Sequence, residues 1–207
     1  ALIAMRIKPV ERQANRRDVL HNLKEGMVYA FRSMPIRTVL LLIALVGLVA
    51  MPYVVLMPVF AKDILKGGPE MLGNLMAAAG VGALVWAVFL ACRQSVLGLG
   101  RVLTVSSLVF GLALIAFSWS TIRWLSLALL AVGGFGMMVQ TASCNTLIQT
   151  VVDDDKRGRV MSLYTMAFMG MAPFGSLLLG GLAERLGAPW ALTIGGIGCL
   201  LGGVLFA

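Results

Sequence analysis

Charge is scarce in this chain. Only 13% of its 207 residues are Asp, Glu, Lys or Arg, about half of the roughly 25% usual in a soluble domain. Acidic residues number nine, and His21 is the single histidine. Apolar residues make up 59%, against roughly 45–50% in an ordinary domain. This balance excludes a disordered chain and most soluble enzymes. The three cysteines, Cys92, Cys144 and Cys199, are far apart and form no CxxC pair. A structural zinc site needs about four N, S or O ligands, so no metal or cofactor is expected. An intramembrane protease would need a His-Glu-x-x-His motif or a histidine at membrane depth beside a serine nucleophile. Neither is present, and no enzymatic activity is expected. A secretory leader is also missing. Residues 1–5 are apolar but too few for a signal core, and they read as the tail of a preceding helix. The chain is therefore expected to be part of a longer protein.

What the chain does have is long apolar runs. About 20 apolar residues cross a bilayer as a helix, and six such segments follow one another. They lie near Thr38–Phe60, Glu70–Cys92, Val102–Trp119, Trp124–Gln149, Val160–Leu182 and Trp190–Ala207. The expected fold is all-α, a polytopic bundle of six transmembrane helices over residues 36–207. Residues 1–17 read as a cytoplasmic linker. Residues 18–35 read as an amphipathic surface helix, with Val19, Leu20, Leu23, Met27, Val28, Phe31 and Met34 at helical spacing. That helix could rest on lipid or on protein.

The basic residues are distributed unevenly. The formal net charge is +8, which in a soluble protein would suggest nucleic acid. Eight of the 17 Lys and Arg lie in the first 37 positions. With six spans, thirteen basic residues fall on the side of the N-terminus and four, Lys62, Lys66, Arg123 and Arg185, on the other. Basic loops stay cytoplasmic, so both termini are expected there, and no nucleic-acid partner is expected.

Inside the spans, small and polar residues carry the pattern. Helices in lipid pack through small residues, and the second, fifth and sixth segments are rich in glycine. Gly82-Ala83-Leu84-x-x-Ala87 is echoed 93 positions later by Gly175-Ser176-Leu177-x-x-Gly180. These two segments cross in opposite directions, as in an inverted 3+3 repeat. Pro173 leaves a helix carbonyl unpaired and permits bending. Gly82, Pro173 and Gly175 are accordingly expected at a hinge or interface between two halves. The fourth segment concentrates polarity. Thr141, Asn145 and Gln149 share a face and Gln140 flanks it. Together with Tyr53, the residues Gln140, Thr141 and Asn145 are the expected substrate-cavity wall. Asp153, Arg157 and Arg159, in the charged loop before the fifth segment, are expected to be gate or anchor charges on the cytoplasmic side.

Several stretches resemble a known family in order and spacing. Lys24-Glu25-Gly26 through Pro35-x-Arg37 and Pro58-Val59-Phe60-Ala61 frame the first span. Asn145-x-x-x-Gln149 then precedes Arg157-Gly158-Arg159-Val160-Met161-Ser162-Leu163-Tyr164, and Pro173-x-Gly175-Ser176-Leu177-x-x-Gly180 follows. Together they resemble the C-terminal half of a major facilitator superfamily transporter, in the bacterial transmembrane secretion effector branch that includes enterobactin-exporter-like proteins. Gly180-x-Leu182-Ala183-Glu184-Arg185-x-Gly187 is similar to a loop signature of the superfamily, although Pro189 stands where a basic residue often follows. The resemblance implies half of a twelve-helix fold. The first and fourth helices would line the cavity, the second and fifth would face the other half, and the third and sixth would lie outside. It implies export of small hydrophobic or siderophore-like molecules by alternating access across the bacterial inner membrane, with proton coupling. The implied partners are the small-molecule substrate, the N-terminal six-helix half and membrane lipid. A non-transporting scaffold or sensor is the alternative that composition alone leaves open.

Overall fold

The computed structural model describes residues 25–50, 52–91 and 99–206. The expected linker at 1–17, the start of the surface helix with His21, and the Cys92–Arg93 loop lie outside the described residues. A short helix, α1, covers residues 25–32. Six further helices are long and apolar enough to cross a membrane. These are α2 (Met34–Ile64), α3 (Pro69–Ala91), α4 (Leu99–Ser118), α5 (Arg123–Val151), α6 (Arg157–Leu186) and α7 (Ala188–Phe206). Among the described residues there is no strand.

Local chemistry sets the ends. Pro35, Pro69 and Pro189 all lie in the first turn of a helix, where a missing N–H costs nothing and the fixed φ suits the helix. Gly187 closes α6 with φ at 88°, a left-handed position that glycine fills without strain. Its N–H caps the Ala183 carbonyl at 2.9 Å.

Helix α2 is not regular. Its α-helical stretches Met34–Leu45 and Tyr53–Val59 alternate with π-helical turns at Val46–Ala50 and Phe60–Ile64. Pro52 follows the first wide turn. A proline ring crowds the carbonyl four residues before it and gives it no N–H, and the widened turn relieves that crowding.

The most extensive pairings are α2 with α6, α3 with α5, α4 with α7 and α4 with α5. Exchanging the first three spans for the last three turns α2–α6 into α5–α3 and returns α4–α7 to itself. The packing therefore has the pseudo-twofold pattern of an inverted 3+3 repeat. The first three pairings are close backbone approaches through glycine. A methyl group on Gly82 of α3 would overlap the Ala131 carbonyl of α5, and one on Gly134 of α5 would overlap the Ala79 carbonyl of α3. Gly175 of α6 and Gly47 of α2 stand in the same relation to the Leu48 and Phe168 carbonyls. Gly111 and Gly196 repeat it between α4 and α7, where each added Cβ would lie 2.8 Å from the other's carbonyl oxygen. Such approaches bring Cα–H groups against carbonyls and increase dispersion contact, which drives helix association in lipid.

Burial is uneven. Only 22% of the apolar stretch of α3 and 11% of that of α6 is buried, against 33–56% in the other four spans. Gly73, Gly80, Gly180 and Gly181 on these two helices meet no neighbour within 4 Å.

Candidate functional site

Of the four expected cavity residues, Tyr53 and Gln140 are buried, and Thr141 and Asn145 are partly exposed. Tyr53 is buried and sets its ring edge-on to Phe110 of α4, with centroids 6.3 Å apart. Gln140 is 1% exposed, and neither atom of its amide has a hydrogen-bond partner. It lies one turn along α5 from Gly136, whose backbone packs against Phe110 and the Ser106 carbonyl. Both side chains lie inside the six-helix bundle in this conformation. The reason is angular. Gln140 is one residue, about 100°, from Thr141 on the helix, enough to turn it from the open flank into the core.

Thr141 and Asn145 do sit on a partly open face. The Thr141 hydroxyl donates to the Met137 carbonyl at 2.9 Å. The Thr141 carbonyl accepts from the Tyr164 hydroxyl of α6 at 3.1 Å. The Gln149 amide donates to the side-chain oxygen of Asn145 one turn away. The result is a polar ladder on α5, with Tyr164 closing its α6 side.

Gly82 and Gly175 are buried at helix crossings inside the bundle. At these crossings their missing side chains let the helices of this bundle approach closely. Pro173 is exposed on α6, which continues unbroken through it. The outward glycines of α3 and α6 are the ones left free for a second surface.

The charged loop divides its work. Arg159 reaches Glu25 of α1 at 2.7 Å. Asp153 accepts from the Tyr29 hydroxyl of α1 at 3.1 Å, and Lys156 stands 4.5 Å over the Tyr29 ring. Arg157 pairs locally with Asp154. Asp153 and Arg159 therefore anchor α1 to the start of α6, and Arg157 does not. Gly26 permits the approach, since an added Cβ would lie 3.1 Å from the Arg159 Cβ. Ala30 of α1 is fully buried, whereas Val28, Phe31 and Met34 are exposed. One face of the segment packs on protein and another is left open.

At the opposite end of the bundle, a polar knot is formed by residues that the sequence did not single out. Thr193 of α7 lies 2.8 Å from the Ser118 hydroxyl and accepts from the Trp119 indole at 3.1 Å. Trp119 also meets Trp190 edge-on at 5.2 Å. The signal available was Trp119 and Trp190 at the ends of neighbouring spans, where amphipathic rings settle at a membrane interface.

Six spans with pseudo-twofold packing, a polar ladder on one core helix and two thinly buried small-residue helices define a multi-pass membrane protein of the transporter type. The model of the transmembrane secretion effector family matches residues 1–207. The chain belongs to this family of the major facilitator superfamily. It is also similar to a Staphyloferrin A transporter from Staphylococcus aureus (strain NCTC 8325 / PS 47), at 28% identity over 145 residues. The aligned stretch covers 70% of this chain but 36% of that relative, so the chain spans well under two thirds of the relative's length.

Proposed function

We propose that this bundle is the C-terminal half of a secondary transporter that exports small hydrophobic or siderophore-like molecules, and that it has no enzymatic role. The carrying observation is the thin burial of α3 and α6. Two spans of an otherwise packed bundle leave glycine-bearing faces open, and in lipid such faces are helix-packing surfaces. A second six-helix unit seated there would enclose α2 and α5 at the centre. Rocking of the two units would then expose the Thr141–Asn145 ladder to either side in turn. Pro173, on the open face of α6, would let that helix bend as the units rock. Gln140 keeps an unsatisfied amide in the core, an expensive arrangement that a second conformation or a bound substrate would relieve. Tyr53 would join the same inner lining. The anchor from Asp153 and Arg159 to α1 would hold the connection between units on the cytoplasmic side, in agreement with the excess of basic residues there. The bacterial inner membrane is the proposed location. A proton-coupling carboxylate would belong to the partner unit, because the acidic side chains in the described part of this chain lie at span ends and in loops.

The test is efflux from proteoliposomes holding the full-length protein, with staphyloferrin A as first probe because of the similar transporter's name. Asn145→Ala and Gln140→Ala are expected to lower efflux at normal protein levels. Unchanged efflux in both variants would remove these residues from the substrate path.

A further inference from the structure

A groove outside the polar ladder has the chemistry of a lipid site. It has a volume of about 310 Å³ and runs between α3, α4 and α5. Its floor is Trp86 and Phe135, edge-on to one another at 5.4 Å, together with Gly136, which has no side chain to fill it. Val105, Val109 and Val139 form its walls. Arg101 stands at one end. Arg101 is exposed and makes no ion pair among the described residues. From Arg101 to Val109 is eight residues of helix, about 12 Å. One leaflet of the hydrocarbon core is about 15 Å deep. The groove thus starts near the head of α4 with a cation and continues as an apolar channel to about mid-membrane depth.

We propose that this groove binds one anionic phospholipid, with its phosphate on Arg101 and an acyl chain along Val105 and Val109 over the Trp86–Phe135 pair. A guanidinium offers paired donors that match phosphate oxygens. Basic residues at the mouths of clefts between transmembrane helices select anionic headgroups for that reason. A chain in the groove also covers Val105, which is 58% exposed, with hydrocarbon held by the protein. The site depends on the bundle being embedded in a membrane, not on the direction or coupling of transport.

Native mass spectrometry of the full-length protein tests it. The protein is released from nanodiscs of phosphatidylglycerol or of phosphatidylcholine with the same acyl chains. The expected result is one retained phosphatidylglycerol, at least five-fold more abundant than retained phosphatidylcholine. Arg101→Gln should reduce retention at least five-fold, and Val105→Trp should do so by filling the channel. Arg123→Gln, at the far end of the bundle, should leave it unchanged. Because Arg101 is exposed, its replacement leaves the core intact even if Val105→Trp fails to fold. Equal retention of both lipids, no retained lipid, or retention that survives Arg101→Gln would each overturn the proposal.

Discussion

The Leu48 carbonyl of α2 occupies the place where a side chain on Gly175 of α6 would begin. Glycine alone leaves room for that carbonyl at the crossing. Gly82 and the Ala131 carbonyl repeat the relationship between α3 and α5. Gly175→Ala and Gly82→Ala should each destabilise the bundle by about 3 kcal/mol, at the upper end of overpacking costs. Gly73→Ala and Gly180→Ala, which meet open space, should not lower the stability of the bundle and should raise it by up to about 1 kcal/mol. Thermal unfolding in detergent separates the two pairs.

Gln140 allows stability and transport to be separated. Its amide is buried without a partner, and such a group costs about 1–3 kcal/mol. Gln140→Met removes the unsatisfied atoms at similar volume. The variant should unfold at the same or a higher temperature while its efflux falls. A clear loss of stability would mean that the amide is satisfied in the folded bundle.

The contact between Arg159 and Glu25 should be weak. Both side chains are substantially exposed, and such pairs contribute about 0.2–1 kcal/mol. A double-mutant cycle of Arg159→Ala and Glu25→Ala should give a coupling in that range, and it should shrink in high salt. Arg157→Ala, which loses only a local pair with Asp154, should leave the docking of α1 unaffected.

Cys144 and Cys199 are both buried. In a Cys92→Ser background, neither should react with a membrane-permeant maleimide until the protein is denatured. Rapid labelling of the native protein would contradict the packing of α5 or of α7 against its neighbours.

The spans were legible because a bilayer demands about 20 apolar residues from each, and the alternation of basic loops supports the count. The glycine echo between Gly82 and Gly175 was legible as well, and both residues occupy equivalent crossings. Their facing was not. Identity marks a small residue, but which side of the helix meets a neighbour depends on partners such as Gly134, two spans from Gly82, and Gly47, four spans from Gly175. For Gln140 a single helical step decided between wall and core, and a four-residue polar periodicity does not fix that step when Ser143 and Cys144 on the next turn are buried too. The polar knot around Thr193 was legible only through its two tryptophans, because Ser118 and Thr193 belong to spans distant in the chain.

Counterflow in proteoliposomes bears most directly on alternating access. Vesicles holding the full-length protein are loaded with the unlabelled probe of the efflux assay and diluted into a trace of the same compound in labelled form. A carrier whose two units rock around one site should show transient accumulation of label above equilibrium, lost when the open faces of α3 and α6 are cross-linked to the partner unit. Label that only approaches equilibrium without overshoot, or that fails to enter under any gradient, would contradict it.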